Sequence, residues 1–286
     1  MAIIFHCPEC DKEYRVDRSK AGKKGKCKEC GNELRVPVPQ EGIPETGDVE
    51  LSPSGSLVYR HEERKIPFQP TMGDSENIEL ISDHIEEHLG PVAGVLHEIV
   101  SDLVHIDIHV VEPTEENPVY RLVTSGMSEA PMNVPEGAED FRFAELMVTL
   151  PGDWPMEQSD WEDEANYWPL RWLKMLARFP HEYDTWLGYG HTIPNGDPPE
   201  PFDETTKLCC ALLLVSPTVP DEFLTLEVSP EKAIHFYSFI PLYEEEVRFK
   251  LDKGVDDLTD RFDKHGIDDM INPQRKNVCS RSWKLW

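Results

Sequence analysis

The chain has 286 residues, room for one domain of about 200 residues and a small satellite. Its formal charge of −27 is uneven: residues through Gln40 hold nine Lys/Arg against six Asp/Glu, whereas the remainder holds 19 basic and 49 acidic residues. A field of that sign repels phosphate, which makes the larger part a poor nucleic-acid binder and leaves two readings, a solvated surface or a face that attracts a basic protein partner. No stretch approaches the ~20 uninterrupted apolar residues of a membrane helix, and no basic region followed by a long apolar run opens the chain. A cytoplasmic protein is expected.

In chain order, residues 1–38 carry two pairs, Cys7-Pro-Glu-Cys10 and Cys27-Lys-Glu-Cys30, sixteen residues apart. That spacing lies in the structural-zinc range, where each knuckle turns two thiolates toward one point and two knuckles complete a tetrahedron. A ribbon with one structural Zn2+ on Cys7, Cys10, Cys27 and Cys30 is expected, with iron in a rubredoxin-like site or redox-active thiols as alternatives. Four sulfurs leave no open position for catalytic water. Ile3–Phe5, Tyr14–Val16 and Leu34–Val36 offer short strands, Gly31 allows a positive φ after the second knuckle, and so small a unit needs a staple to fold. The basic loop Arg18–Lys26 lacks interleaved aromatics, so it reads as a solvated or protein-docking loop ahead of a nucleic-acid contact.

Residues 39–75 are rich in Pro, Gly, Glu and Ser and read as a flexible linker. Ile78, Ile81, Ile85 and Leu89 then recur at helical spacing, with Ser75 as the expected cap and Gly90-Pro91 as the stop. Strands are expected at Ile106–Val111, Tyr120–Thr124, Phe141–Leu150, Leu208–Val215, Leu224–Val228 and His235–Ile240. One helix is expected from Trp168 or Pro169 to Ala177, with Pro169 in its first turn, and another from Glu244 to His265, closed by Gly266. The order gives an α+β domain at 76–272, a mixed sheet with flanking helices, followed by a tail at 273–286.

Three groups of residues invite a chemical reading. His105, Asp107 and His109 alternate along an expected strand and share a face, as metal ligands of a hydrolase would; an ordinary polar strand face is the competing reading. His84 and His88 flank Glu87 in an order that is not the H-E-x-x-H of zinc proteases. Trp154, Trp161, Trp168, Trp172 and Trp186 crowd one third of the domain, either as core or as part of a recognition groove. Glu145 and the acidic run from Asp153 to Glu164 are too numerous to single out an acid/base pair. Cys209 and Cys210 sit in an apolar strand and read as buried, inert thiols. No glycine-rich phosphate loop or nucleophile elbow is present.

The runs His97-Glu-Ile-Val-Ser-Asp-Leu-Val-His-Ile-Asp-Ile-His-Val-Val-Glu-Pro113, Leu122-Val-Thr-Ser-Gly-Met-Ser128, Phe143-Ala-Glu-Leu-Met147, Leu150-Pro-Gly-Asp-Trp154 and Gly190-His-Thr-Ile-Pro-Asn-Gly196 together resemble the prokaryotic members of the Suppressor of fused (SUFU) family over residues 76–272. The resemblance implies a mixed α/β domain without catalytic machinery. Animal members share this domain and sequester transcription factors, but they carry a second domain not found here, so their ligand-clamping residues do not transfer. Prokaryotic members are associated with immunity in toxin–immunity systems. A non-catalytic immunity or antitoxin protein that binds a protein partner, such as a basic toxin, is therefore expected. A metal-dependent hydrolase using His105, Asp107 and His109, or a zinc-ribbon nucleic-acid adaptor, is the alternative.

Overall fold

The structure is a computed structural model that describes residues 2–7, 9–17, 24–35, 50–61, 63–71, 73–98 and 100–280. Residues 18–23 of the basic loop, Val36, residues 39–49 of the expected linker and the last six residues of the tail lie outside the described residues. The chain divides into two compact units, one of Met1–Glu45 with Pro135–Gly137 and one of Thr46–Val134 with Ala138–Trp286.

In the smaller unit, each cysteine pair grows out of a hairpin. Strand β1 (Ala2–His6) pairs antiparallel with β2 (Glu13–Asp17), and β3 (Lys24–Lys26) with β4 (Glu33–Arg35). The register sets Phe5 opposite Tyr14, and their rings stack 5.5 Å apart. Those two rings pack on Cys7, Cys27 and Leu34, which form the whole apolar cluster of this unit's described residues. So small a core cannot offset the backbone entropy of ordering.

The larger unit opens with a short hairpin, β5 (Glu50–Leu51) with β6 (Leu57–Val58). The next stretch, read from composition as linker, is bonded onto the unit: Lys65 and Ile66 donate backbone N–H groups to the Glu182 carbonyl, and Leu103 donates to Gln69. Arg64 lies 2.5 Å from Asp102. Composition misses this because the anchors are backbone donors, one charge and the His61 ring against Phe179 and Tyr183, not a periodic apolar run.

Helix α1 (Ser75–His88) follows, capped by Asp74 rather than Ser75: the Asp74 carboxylate accepts the Glu76 N–H. After it come β7 (Val92–Leu96), β8 (Asp107–Val111), β9 (Val119–Ser125), β10 (Ala144–Pro151), α2 (Glu164–Tyr183), β11 (Thr192–Pro194), β12 (Leu208–Leu214), β13 (Thr225–Ser229), β14 (Lys232–Tyr243), α3 (Glu244–Lys253) and α4 (Val255–His265). An eight-stranded mixed sheet runs β11-β12-β14-β10-β9-β8-β7, with β13 also on β14. Only the β10–β14 pair in it is parallel.

Helices cover both faces, which is why β8 and β12 are buried along their whole length instead of alternating. On one face α2 sets Trp168, Trp172, Leu173 and Leu176 against Ile108, Leu122, Leu146, Val148 and Phe239. On the other, Ile81 and Ile85 of α1 meet Val111, Val123, Met147 and Phe236, while Leu258 and Phe262 of α4 meet Cys210, Leu212, Ile240 and Leu242.

The helix boundaries differ from expectation for local reasons. Helix α2 begins more than a turn before Pro169 because the Asp163 side chain caps Ala165, and both Pro169 and Pro180 are internal. Pro169 forfeits one helical hydrogen bond, set against burial in the core. The expected Glu244–His265 helix is two helices broken at Gly254, whose φ of 99° no helix residue adopts. Gly266, at φ 64°, closes the second as expected. The tail is also part of the fold as far as Ser280: the buried Arg275 pairs with the fully buried Glu246 at 2.5 Å and donates to the Pro241 carbonyl at 2.7 Å. Among the described residues no helix is long and apolar enough to cross a membrane.

Candidate functional site

The four ribbon cysteines converge. Their sulfurs all lie within 4.8 Å of one another, with Cys7 to Cys30 and Cys10 to Cys27 at 3.6 Å each. Four sulfurs about 2.3 Å from a central ion would stand about 3.8 Å apart, so the donor set fits a tetrahedral thiolate site. The two knuckles share one local geometry. In the first, Cys7 donates to the Lys12 carbonyl and Asp11 to Cys7; in the second, Cys27 donates to Asn32 and Gly31 to Cys27. Gly31 takes φ 76° as expected, and Asp11 occupies the equivalent turn at φ 58°. The Tyr14 hydroxyl donates to Cys27 Sγ at 3.2 Å. That bond, followed by nearby backbone N–H groups, lowers the Cys27 thiol to about 6, whereas, against the Lys12 backbone bond, burial and the neighbouring cysteines push Cys10 up to about 12 and Cys30 is also raised.

The histidine face is rearranged relative to the sequence reading. Asp107 is buried, and it accepts from His97 Nδ1 and His105 Nε2, both at 3.0 Å. His109 shares the strand face but is not among the converging ligand atoms: it is fully buried, bonds Ser125 Oγ at 2.9 Å, and burial pushes its pKa down to about 4. The set that comes together is thus His97, His105 and Asp107, and the expected trio with His109 is corrected. His97 escaped notice because β7 did. Val92-Ala-Gly-Val-Leu96 is short and contains a glycine, yet once β7 pairs with β8 the register sets Leu96 opposite Ile108 and brings the next residue, His97, beside Asp107. His84 and His88 stay with α1; the former is buried, with Nε2 3.0 Å from the Phe223 carbonyl.

The tryptophans separate by depth. Trp168 and Trp172 are buried to 0% and 1% exposure. Trp168 stacks on Phe202 at 4.9 Å and Trp172 meets the same ring edge-on at 4.6 Å. They belong to the core and are removed from any partner surface, because each ring removes roughly 200 Å² from water at about 25 cal/mol per Å². Trp154, Trp161 and Trp186 are half-buried at the margin of the same core.

Glu145 is likewise structural. It is fully buried, and its carboxylate accepts from Thr124 Oγ1 (2.6 Å), Ser128 Oγ (2.6 Å) and the N–H groups of Gly126 and Ser128. Burial raises its pKa against those bonds. They tie down the turn after β9, where Gly126 has φ 108° and an added Cβ would lie 1.7 Å from the His105 carbonyl oxygen. Cys209 and Cys210 are buried, and burial raises Cys209 to about 11 and Cys210 further still.

The family model "Suppressor of fused protein (SUFU)" matches residues 102–276. Among solved structures, the chain is similar to a SUFU (suppressor of fused protein) homolog from Neisseria gonorrhoeae, at 17% identity and a TM-score of 0.53, covering 73% of this chain and 100% of that one. It is also similar to a chain in the Sufu–Fu complex, at 15% identity and a TM-score of 0.51, covering 71% of this chain and 92% of that one. A comparison with curated sequences finds no match.

Proposed function

This chain belongs to the Suppressor of fused family, and on that footing we propose that it is a non-catalytic, cytoplasmic protein-binding domain of immunity or antitoxin type, with an N-terminal ribbon that holds one structural Zn2+. The observation that carries the reading is the family match across the mixed sheet, together with a structural neighbour that was solved as a Sufu–Fu complex. Zinc is supported by the four convergent sulfurs, which leave no position open for a reacting water.

The larger unit's acidity steers a basic partner toward it and speeds encounter. Affinity has to come from a packed patch, for which the half-buried Trp154, Trp161 and Trp186 are the proposed aromatic anchors. Co-expression with toxins encoded beside the gene, read by pull-down and survival, tests this. Capture of one toxin, chemically unmodified, supports it; no capture of any of them, or protection that requires modification of the toxin, rejects it.

A further inference from the structure

We propose that His97, His105 and Asp107 form a second metal site in the larger unit, one that takes a divalent transition metal such as zinc and keeps a coordination position open. It is independent of the partner-binding reading and of the ribbon, sharing no residue with either.

The hairpin register creates the constellation. Asp107 opens β8, His97 follows directly on β7, and His105, two residues before Asp107, brings its Nε2 to the carboxylate. The candidate ligand atoms lie within 4.8 Å of one another, and each imidazole nitrogen is 3.0 Å from one Asp107 oxygen. A metal about 2.0–2.2 Å from each ligand requires nitrogen–oxygen spans of about 3–3.5 Å, so the backbone already holds the required spacing.

The surroundings fix the ligands, as outer partners of metal sites do. Ser101 Oγ lies 2.5 Å from His105 Nδ1; with a metal on Nε2, Nδ1 carries the proton and donates to that hydroxyl. The Glu98 N–H donates to Asp107 Oδ1 at 3.2 Å. The Glu98 carboxylate is in turn held by Arg178 at 2.5 and 2.6 Å. Gly73 provides the seat for the His105 ring, since a Cβ there would stand 2.8 Å from His105 Cδ2.

The donor set selects the ion. Two imidazoles and one carboxylate suit zinc, iron(II), cobalt or nickel, whereas calcium and magnesium prefer oxygen alone. The Asp107 side chain is 1% exposed but that of His97 is 68% exposed, so the ion enters from the His97 side and its remaining position faces solvent. Without metal the same three groups are held by hydrogen bonds alone, and that state is the competing outcome.

The test uses the full chain with the ribbon first loaded with one equivalent of zinc, then titrated with cobalt(II) and followed by absorption and calorimetry. The expected result is one further equivalent showing ligand-field bands without the sulfur charge-transfer band that cobalt in the ribbon would produce. That equivalent should vanish in His97→Ala, an exposed position that leaves the fold intact by circular dichroism, and weaken by about 10–100-fold in Ser101→Ala. Absence of a second equivalent at a hundredfold excess of cobalt overturns the proposal, as does a second ion retained undiminished in His97→Ala.

Discussion

His109 shows how a single side chain couples this fold to pH. Its ring is fully buried beside Ser125, and burial lowers its pKa from 6.5 to about 4. The unfolded chain therefore takes up a proton first as pH falls, and the contribution of this residue to stability is intact above about pH 6.5 and drains between there and about pH 4. Its largest slope is one proton, about 1.4 kcal/mol per pH unit. Urea unfolding across that window should show a shallower acid loss in His109→Asn than in the wild type; equal slopes would mean that the ring titrates normally. Arg275 matters through pairing rather than pH. With its partner Glu246 completely buried, Arg275→Ala strands a carboxylate in the core and should cost about 3–5 kcal/mol in urea denaturation. A loss below 1 kcal/mol would show that the 273–280 segment does not hold to the domain.

Among the elements, those with continuous apolar runs were legible from sequence: β8, β9, β12 and β14 fall where β-branched and aromatic residues cluster. What was lost depends on tertiary context. A hairpin strand as short as β7 acquires its identity from pairing with β8, and with it went His97. Pro169 was placed at a helix start by local preference, but Asp163 offered an earlier cap and burial outweighed the missing hydrogen bond. The alternation at 105, 107 and 109 correctly gave a shared face; it could not reveal that α1 covers that face and that Ser125 claims His109. Depth within the tryptophan group was also invisible, because Trp168 and Trp172 are distinguished from Trp161 only by the sheet beneath α2. The cysteine spacing, by contrast, carried its geometry directly, since a knuckle is a local turn. The ribbon hairpins should accordingly depend on metal. Cys27→Ser should release the zinc proposed for the ribbon and abolish the β1–β4 amide pattern while the larger unit melts as before; zinc retained at the wild-type level, or joint melting of both units, would count against a metal-stapled ribbon.

At the scale of the whole molecule, charge and topology divide the work. A mixed sheet covered on both faces supplies a rigid body, and the 49 acidic residues beyond Gln40 supply a long-range field. Such a field acts on encounter far more than on residence, so rising salt should slow association while dissociation changes little. The proposed function is one of occupancy, in which each chain blocks one partner molecule. The most direct measurement of the proposed function is a titration of a fixed amount of the toxin identified by pull-down with the full chain, reading residual toxin activity. Occupancy predicts residual toxin activity that falls linearly to an equivalence point at one chain per toxin, with the toxin's mass unchanged. Complete inactivation at substoichiometric protein, with turnover or a change in toxin mass, would contradict it.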